Sequence, residues 1–70
     1  MVFKNMENKN HIREARLARG LSIPEAATLI GVEYQTYYYW DTGKTFPKKK
    51  DIPRVKKVFG LTTDQVLGLV

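Results

Sequence analysis

The feature that most restricts the fold of this chain is a twenty-residue stretch in which small, glycine and large apolar residues stand at fixed intervals. Its key members, in order, are Ala27, Gly31, Val32, Tyr37 and Trp40. Two helices that cross steeply through a short turn touch at one point, where the side chain must be small. Ala27 meets that need, Gly31 permits a left-handed backbone in the turn, and Val32 packs beneath it. The spacing predicts two helices joined by a tight turn, with Tyr37 and Trp40 on the inner face of the second.

Local signals mark where these two helices begin and end. Ser22 followed three residues later by Glu25 forms a capping box, which predicts a helix over residues 22–30. Tyrosine and tryptophan favour strands, so residues 33–42 are ambiguous by propensity alone. Because that run does not alternate and lies between Gly31 and Gly43, we predict a helix there as well.

Three further helices are predicted over residues 10–19, 51–59 and 62–67. Asn10 and Asp51 are candidate caps for the first two, and Thr62 with Gln65 makes a second capping box for the last. The expectation is therefore an all-α, five-helix domain over residues 10–70. Residues 1–9 are mostly polar and are interpreted as a flexible N-terminal arm.

Composition excludes several classes of function. A chain of 70 residues builds one small core and has little room for a catalytic cleft. It has no cysteine and a single histidine, His11, so we expect no disulfide, no metal site and no cofactor. No apolar run is long enough to span a bilayer or to serve as a signal peptide. We expect a cytoplasmic protein that is not an enzyme and has no membrane partner.

Positive charge is concentrated in one segment. The chain carries a net charge of +5, and residues 44–57 alone contain seven basic residues against one acidic residue. Lysine and arginine clusters attract phosphates and displace their counterions. The distribution predicts a polyanionic partner that binds near this segment.

Several short motifs together point to a family. They are Ile12-Arg-Glu-Ala-Arg16, Gly20-Leu-Ser22, Glu25-Ala-Ala27, Gly31-Val32, Trp40-Asp-Thr-Gly43-Lys44, Pro47, Phe59-Gly-Leu and Asp64-Gln-Val-Leu67. With them the chain resembles the phage repressor and Cro class of helix-turn-helix proteins, the broad Xre-like family. The resemblance covers most of the chain and implies a five-helix lambda-repressor-like fold whose third helix enters the major groove of double-stranded DNA.

The same resemblance implies specific roles. Arg16 and Asp41 would form an internal ion pair between the first and third helices. The chain would be a sequence-specific transcriptional regulator, acting as a dimer on a two-fold operator with half-sites about 34 Å apart. Four positions depart from the usual family residues. Ile23 stands where glutamine usually contacts a phosphate or a base, and Tyr37 is bulkier than the usual valine or isoleucine. Asp41 replaces a glutamate, and Glu33 replaces the serine or threonine that usually caps the third helix.

Helical geometry sorts the third helix into two faces. At about 100° per residue, the arc opposite Tyr37 and Trp40 carries the candidate base-reading residues, which are Tyr34, Gln35, Tyr38 and Tyr39. Gln35 is the member able to pair with two atoms of adenine. Core packing is the alternative for the tyrosines, and for Tyr38 above all. The candidate contacts to the DNA backbone are Ser22, Thr36, Lys44, Lys48, Lys49 and Lys50.

A second interpretation uses the same fold to bind a protein. Ile23 and the exposed tyrosines would form a patch that engages a partner repressor, as in a small antirepressor or antitoxin-like switch protein.

The candidate homodimer surface of a DNA-binding chain is apolar and C-terminal, and comprises Leu61, Val66, Leu69 and Val70.

Overall fold

The computed structural model describes residues 10–70, which form five α-helices and, within that range, no strand. The helices are α1 (His11–Ala18), α2 (Ile23–Ile30), α3 (Tyr34–Thr42), α4 (Ile52–Phe59) and α5 (Thr63–Val66). The all-α prediction is confirmed, and every helix lies within one residue of its predicted bounds. The arm predicted over residues 1–9 lies outside the described residues. None of the helices in residues 10–70 is both long enough and apolar enough to cross a bilayer.

Side-chain caps fix the starts of three helices as the sequence predicts. At α2, Ser22 Oγ accepts from the Glu25 backbone N–H, and the Glu25 carboxylate accepts from the Ser22 backbone N–H. Thr62 and Gln65 repeat this reciprocal pair at α5. At α1 the Asn10 side chain accepts from the third residue of the helix. Each cap satisfies backbone donors that the helix itself leaves unpaired.

The predicted cap at α4 is wrong. Asp51 precedes this helix, but its backbone is already helical, with φ −95° and ψ −18°, and its side chain makes no cap hydrogen bond. The carboxylate instead accepts from Arg54 Nη2 at 3.0 Å. Asp51 is buried, so it belongs to a local ion pair at the base of the helix.

The turn between α2 and α3 is closed by backbone hydrogen bonds. The N–H groups of Gly31 and Val32 both donate to the Ala27 carbonyl, at 2.8 and 3.0 Å. This pattern needs a left-handed residue, and Gly31 has φ +89°. It places Val32, which is half-buried against the core, beside buried Ala27. The close approach at Ala27 therefore sets the position of α3 on α2.

Apolar side chains from all five helices form one core. Its buried members are Ile12, Ala15, Ala26, Ala27, Ile30, Tyr37, Trp40, Val55, Phe59 and Val66. Val66 was assigned by the sequence to a dimer surface, but it is 1% exposed, so that assignment is wrong. The short α5 presents this side chain inward, as part of the core. Of the remaining predicted surface, Leu61 packs partly against the core, whereas Leu69 and Val70 are exposed.

A buried carboxylate ties α3 to α1. Asp41 accepts from Arg16 Nε at 2.8 Å and Nη2 at 3.2 Å, and from the Tyr37 hydroxyl at 3.0 Å. Arg16 also donates to the Leu21 carbonyl, and Asn10 Nδ2 donates to the Asp41 carbonyl at 2.7 Å. The ion pair that the resemblance implied is thus present.

The protonation equilibria around Asp41 reflect its contacts. The hydrogen bond with Asp41 raises the pKa of Arg16, and burial followed by the Asp41 charge raises the pKa of Tyr37. Arg16 therefore stays charged and Tyr37 stays a hydrogen-bond donor throughout the neutral range.

Candidate nucleic-acid interface

The outer face of α3 is free of the core. Tyr37, Trp40 and Asp41 occupy the buried side of the helix. The predicted base-reading residues lie on the opposite arc, where Tyr34, Gln35 and Tyr38 are exposed and Tyr39 is half-buried. The helix thereby presents aromatic, amide and hydroxyl groups along about two turns.

Tyr34 and Tyr38 form one flank of this face. Their rings stack with centroids 5.9 Å apart and planes 16° apart. Tyr38 is 41% exposed, so the alternative that placed it in the core is wrong. Ile23, which the protein-binding interpretation grouped with these tyrosines, is instead half-buried against the core. The exposed patch is therefore a tyrosine pair without an aliphatic neighbour from that position.

A polar cluster occupies the middle of the face and its C-terminal edge. Gln35 Nε2 donates to the Tyr39 hydroxyl at 2.6 Å, across one turn of helix. Lys44 Nζ lies 4.8 Å from the centre of the Tyr39 ring, in a cation–π arrangement. An amide, a phenol and an ammonium group are thus held together at the surface, and we call them the Gln35–Tyr39–Lys44 cluster.

A groove of about 430 Å³ runs between α3, the loop that follows it and α4. We call it the basic groove, because its lining includes Lys48, Lys50 and Arg54, together with Thr36 and Tyr39 of α3. Asp51 also lines it, and its charge is paired with Arg54. Glu33 lies at its end near the start of α3, where it makes no cap hydrogen bond. Two predicted backbone-contact lysines and the predicted Thr36 therefore meet at one concave surface.

The other two predicted lysines, Lys44 and Lys49, are not among the residues that line the basic groove. Lys44 and Lys49 are exposed, as are Lys48 and Lys50. Lys44 lies against Tyr39.

Ser22 is a predicted contact to the DNA backbone, but most of its hydrogen-bonding groups are already engaged. Its backbone N–H and its hydroxyl oxygen are both engaged by Glu25 in the capping box. These hydrogen bonds, the backbone one foremost, lower the pKa of Glu25, so a negative charge already stands at the start of α2. Only the hydroxyl proton of Ser22 remains to meet an anion.

The sequence did not single out Arg54 as a site residue. Its side chain is about half exposed and lines the basic groove next to Gly31. Asp51, three residues earlier, pairs with Arg54 and holds it there. Asp51 and Arg54 are three residues apart, a spacing at which an acid and a base on one helix can pair, and this was the sequence signal that could have located Arg54.

Across residues 10–70, no set of three His, Asp or Glu side chains is grouped closely enough to hold a metal ion. No protein-family model, curated protein or solved structure matches this chain.

Proposed function

We propose that residues 10–70 form a lambda-repressor-like helix-turn-helix domain, with α2 and α3 as the motif, and that the chain is a sequence-specific regulator of transcription that binds double-stranded DNA. It acts by binding and has no catalytic activity of its own. One observation supports the proposal: the outer face of α3 carries exposed amide and phenol groups, which are able to hydrogen-bond to base edges, and four exposed lysines follow it in the chain.

Contacts to bases and contacts to phosphates come from different parts of the domain. A helix fits the major groove of B-DNA, so the face of α3 meets base edges while the lysines of the following loop meet phosphates. Gln35 offers a donor and an acceptor to one base pair. The tyrosine rings pack on thymine methyl groups and make single hydrogen bonds, which discriminate less than paired ones.

The salt dependence of binding tests this arrangement. Each phosphate neutralised contributes about 0.9 to the slope of log affinity against log salt concentration. Four lysine contacts predict a slope of about −3.6 on mixed-sequence duplex DNA. Neutralising three of them, as Lys48→Gln, Lys49→Gln and Lys50→Gln together, is expected to lower its magnitude by about 2.7.

The chain offers a control matched in charge. Arg13, Lys56 and Lys57 are on α1 and α4, outside the residues that line the basic groove. Changing all three to glutamine removes the same formal charge but is expected to leave the slope within about one unit of the wild type. Equal effects of the two triple variants would show that the charge acts without a defined interface.

The exposed stack of Tyr34 and Tyr38 favours a second candidate, a switch protein that binds a partner repressor. Under this candidate the wild-type chain shows no duplex binding at any salt concentration but retains affinity for a repressor. Changing both tyrosines to serine then abolishes that affinity. Under the first candidate, duplex binding is present and sites selected from random duplexes share a common sequence.

A further inference from the structure

We propose that Tyr39 is a positioning residue, which orients Gln35 toward an A·T base pair and holds Lys44 beside the same stretch of DNA. The inference rests on the proposed DNA binding and adds which residues would distinguish one base pair from another. It starts from the Gln35–Tyr39–Lys44 cluster, in which a single phenol contacts both an amide and an ammonium group.

The hydrogen bond to Tyr39 leaves Gln35 with the atoms that adenine requires. A glutamine amide has two N–H donors and an acceptor oxygen. One N–H is taken by the Tyr39 hydroxyl. The other N–H and the oxygen match adenine N7 and its N6 amino group in the major groove. An exposed glutamine otherwise samples many rotamers, so this bond orders the reading group before DNA arrives.

The backbone of Tyr39 fixes Lys44 in turn. Gly43 has φ +82° and ends α3, which lets the Lys44 N–H return to the Tyr39 carbonyl at 2.9 Å. The Thr42 hydroxyl donates to the same carbonyl at 3.2 Å. This helix-ending pattern places the Lys44 side chain back over the ring of Tyr39. The hydroxyl of Tyr39 thus contacts Gln35, whereas its ring contacts Lys44. A substitution that removes the hydroxyl alone separates these two roles.

The test uses selection of bound sites from a pool of random duplexes with five proteins: the wild type, Gln35→Ala, Tyr39→Phe, Tyr39→Leu and Tyr38→Phe. Tyr39→Phe deletes the hydroxyl that bonds Gln35 but keeps the ring under Lys44. Tyr38→Phe deletes a hydroxyl from the neighbouring exposed tyrosine, whose ring stacks on Tyr34. The slope of log affinity against log salt concentration is measured for all five.

We expect the wild type to select sites with one strongly preferred A·T pair, and Gln35→Ala to lose that preference. Tyr39→Phe is expected to weaken discrimination at that pair by about two- to tenfold, the amount that ordering one side chain contributes. Its salt slope and its preferences elsewhere stay as in the wild type. Tyr38→Phe is expected to keep the A·T preference of Gln35, because Gln35 is hydrogen-bonded to Tyr39, and to change discrimination only at the pair that Tyr38 itself contacts. Tyr39→Leu, which also removes the ring, lowers the salt slope.

Two results overturn the inference in different ways. If Tyr39→Phe selects the same sites as the wild type with the same discrimination, Tyr39 does not position Gln35, although the proposed DNA binding stands. If the wild type binds no duplex at low salt, the proposed function and the inference fail together.

A measurement without DNA checks the positioning itself. The side-chain amide of Gln35 is expected to be rigid on the nanosecond scale by NMR relaxation in the wild type and in Tyr38→Phe, and mobile in Tyr39→Phe. Equal mobility of this amide in all three proteins would contradict the proposed role.

Discussion

Replacing Asp41 by alanine is expected to remove a large part of the stability of the domain, enough to loosen or unfold it. The substitution leaves the guanidinium of Arg16, whose side chain is 12% exposed, without its counterion, and the hydroxyl of Tyr37, which is 0% exposed, without its acceptor. Breaking one partner of a buried ion pair costs about 3–5 kcal/mol. A domain of this size has a free energy of unfolding of only about 4–10 kcal/mol. The loss is therefore comparable with the whole stability.

Urea denaturation at 25 °C measures this loss directly. Trp40, the single tryptophan, is 4% exposed next to Asp41, so its fluorescence reports unfolding of the core. Asp41→Asn keeps the shape and one acceptor of the side chain, and we expect a smaller loss than for alanine. Circular dichroism on the same samples shows whether the helices are lost together with the tryptophan environment.

Asp51→Ala is the matched control, because Asp51 is also a buried aspartate in an ion pair. Its partner Arg54 is 52% exposed and stays hydrated when the carboxylate is removed, so we expect a loss of about 1 kcal/mol or less. A loss for Asp41→Ala no larger than this would refute the reasoning, since burial of the partner would then make no difference.

Two further predictions concern the helix ends. Gly31→Ala is expected to destabilise the domain by about 1–2 kcal/mol, because φ there is +89°, whereas Gly31→Asn, which tolerates that backbone better, loses less in the same urea titration. The new Cβ would lie 3.1 Å from Arg54 Nη1, the end of a flexible side chain that moves aside, so a loss far above this range would contradict the assignment to backbone strain. The pKa of Glu25 is lowered from its ordinary value of 4.5, so the charged carboxylate stabilises the folded domain fully above pH 4.5. That contribution to the free energy of unfolding is lost as the pH falls through the lowered pKa. Between about pH 6 and pH 3 the wild type should lose more stability than Glu25→Gln, and parallel pH profiles would show that the capping box contributes nothing through charge.

The helix ends were predictable because their causes are local. Ser22 and Glu25 meet across three residues, and so do Thr62 and Gln65, so the pattern needs no knowledge of the rest of the chain. The helix over α3 went against the strand propensity of its tyrosines. It was predicted correctly because Gly31 bounds it and the spacing after Ala27 required a helix.

The errors arose where tertiary contacts decide. Asp51 is a residue type that often caps helices, but its own backbone is already helical, and its carboxylate accepts from Arg54 instead. Val66 is on a helix of four residues, too short for apolar periodicity to show which side faces the core. Thr36 and Lys48 are twelve residues apart, and their meeting in the basic groove depends on the path of the loop, which the sequence pattern does not encode.

The division of α3 has a consequence for how this chain can be altered. Its structural roles are concentrated in Tyr37, Trp40 and Asp41, while Tyr34 and Tyr38 are exposed and their rings pack on each other and, for Tyr38, on Tyr39. A combinatorial library confined to the outward positions of this helix would therefore diversify what the surface recognises while most members remain folded. The same randomisation applied to the three inward positions would return mainly unfolded chains.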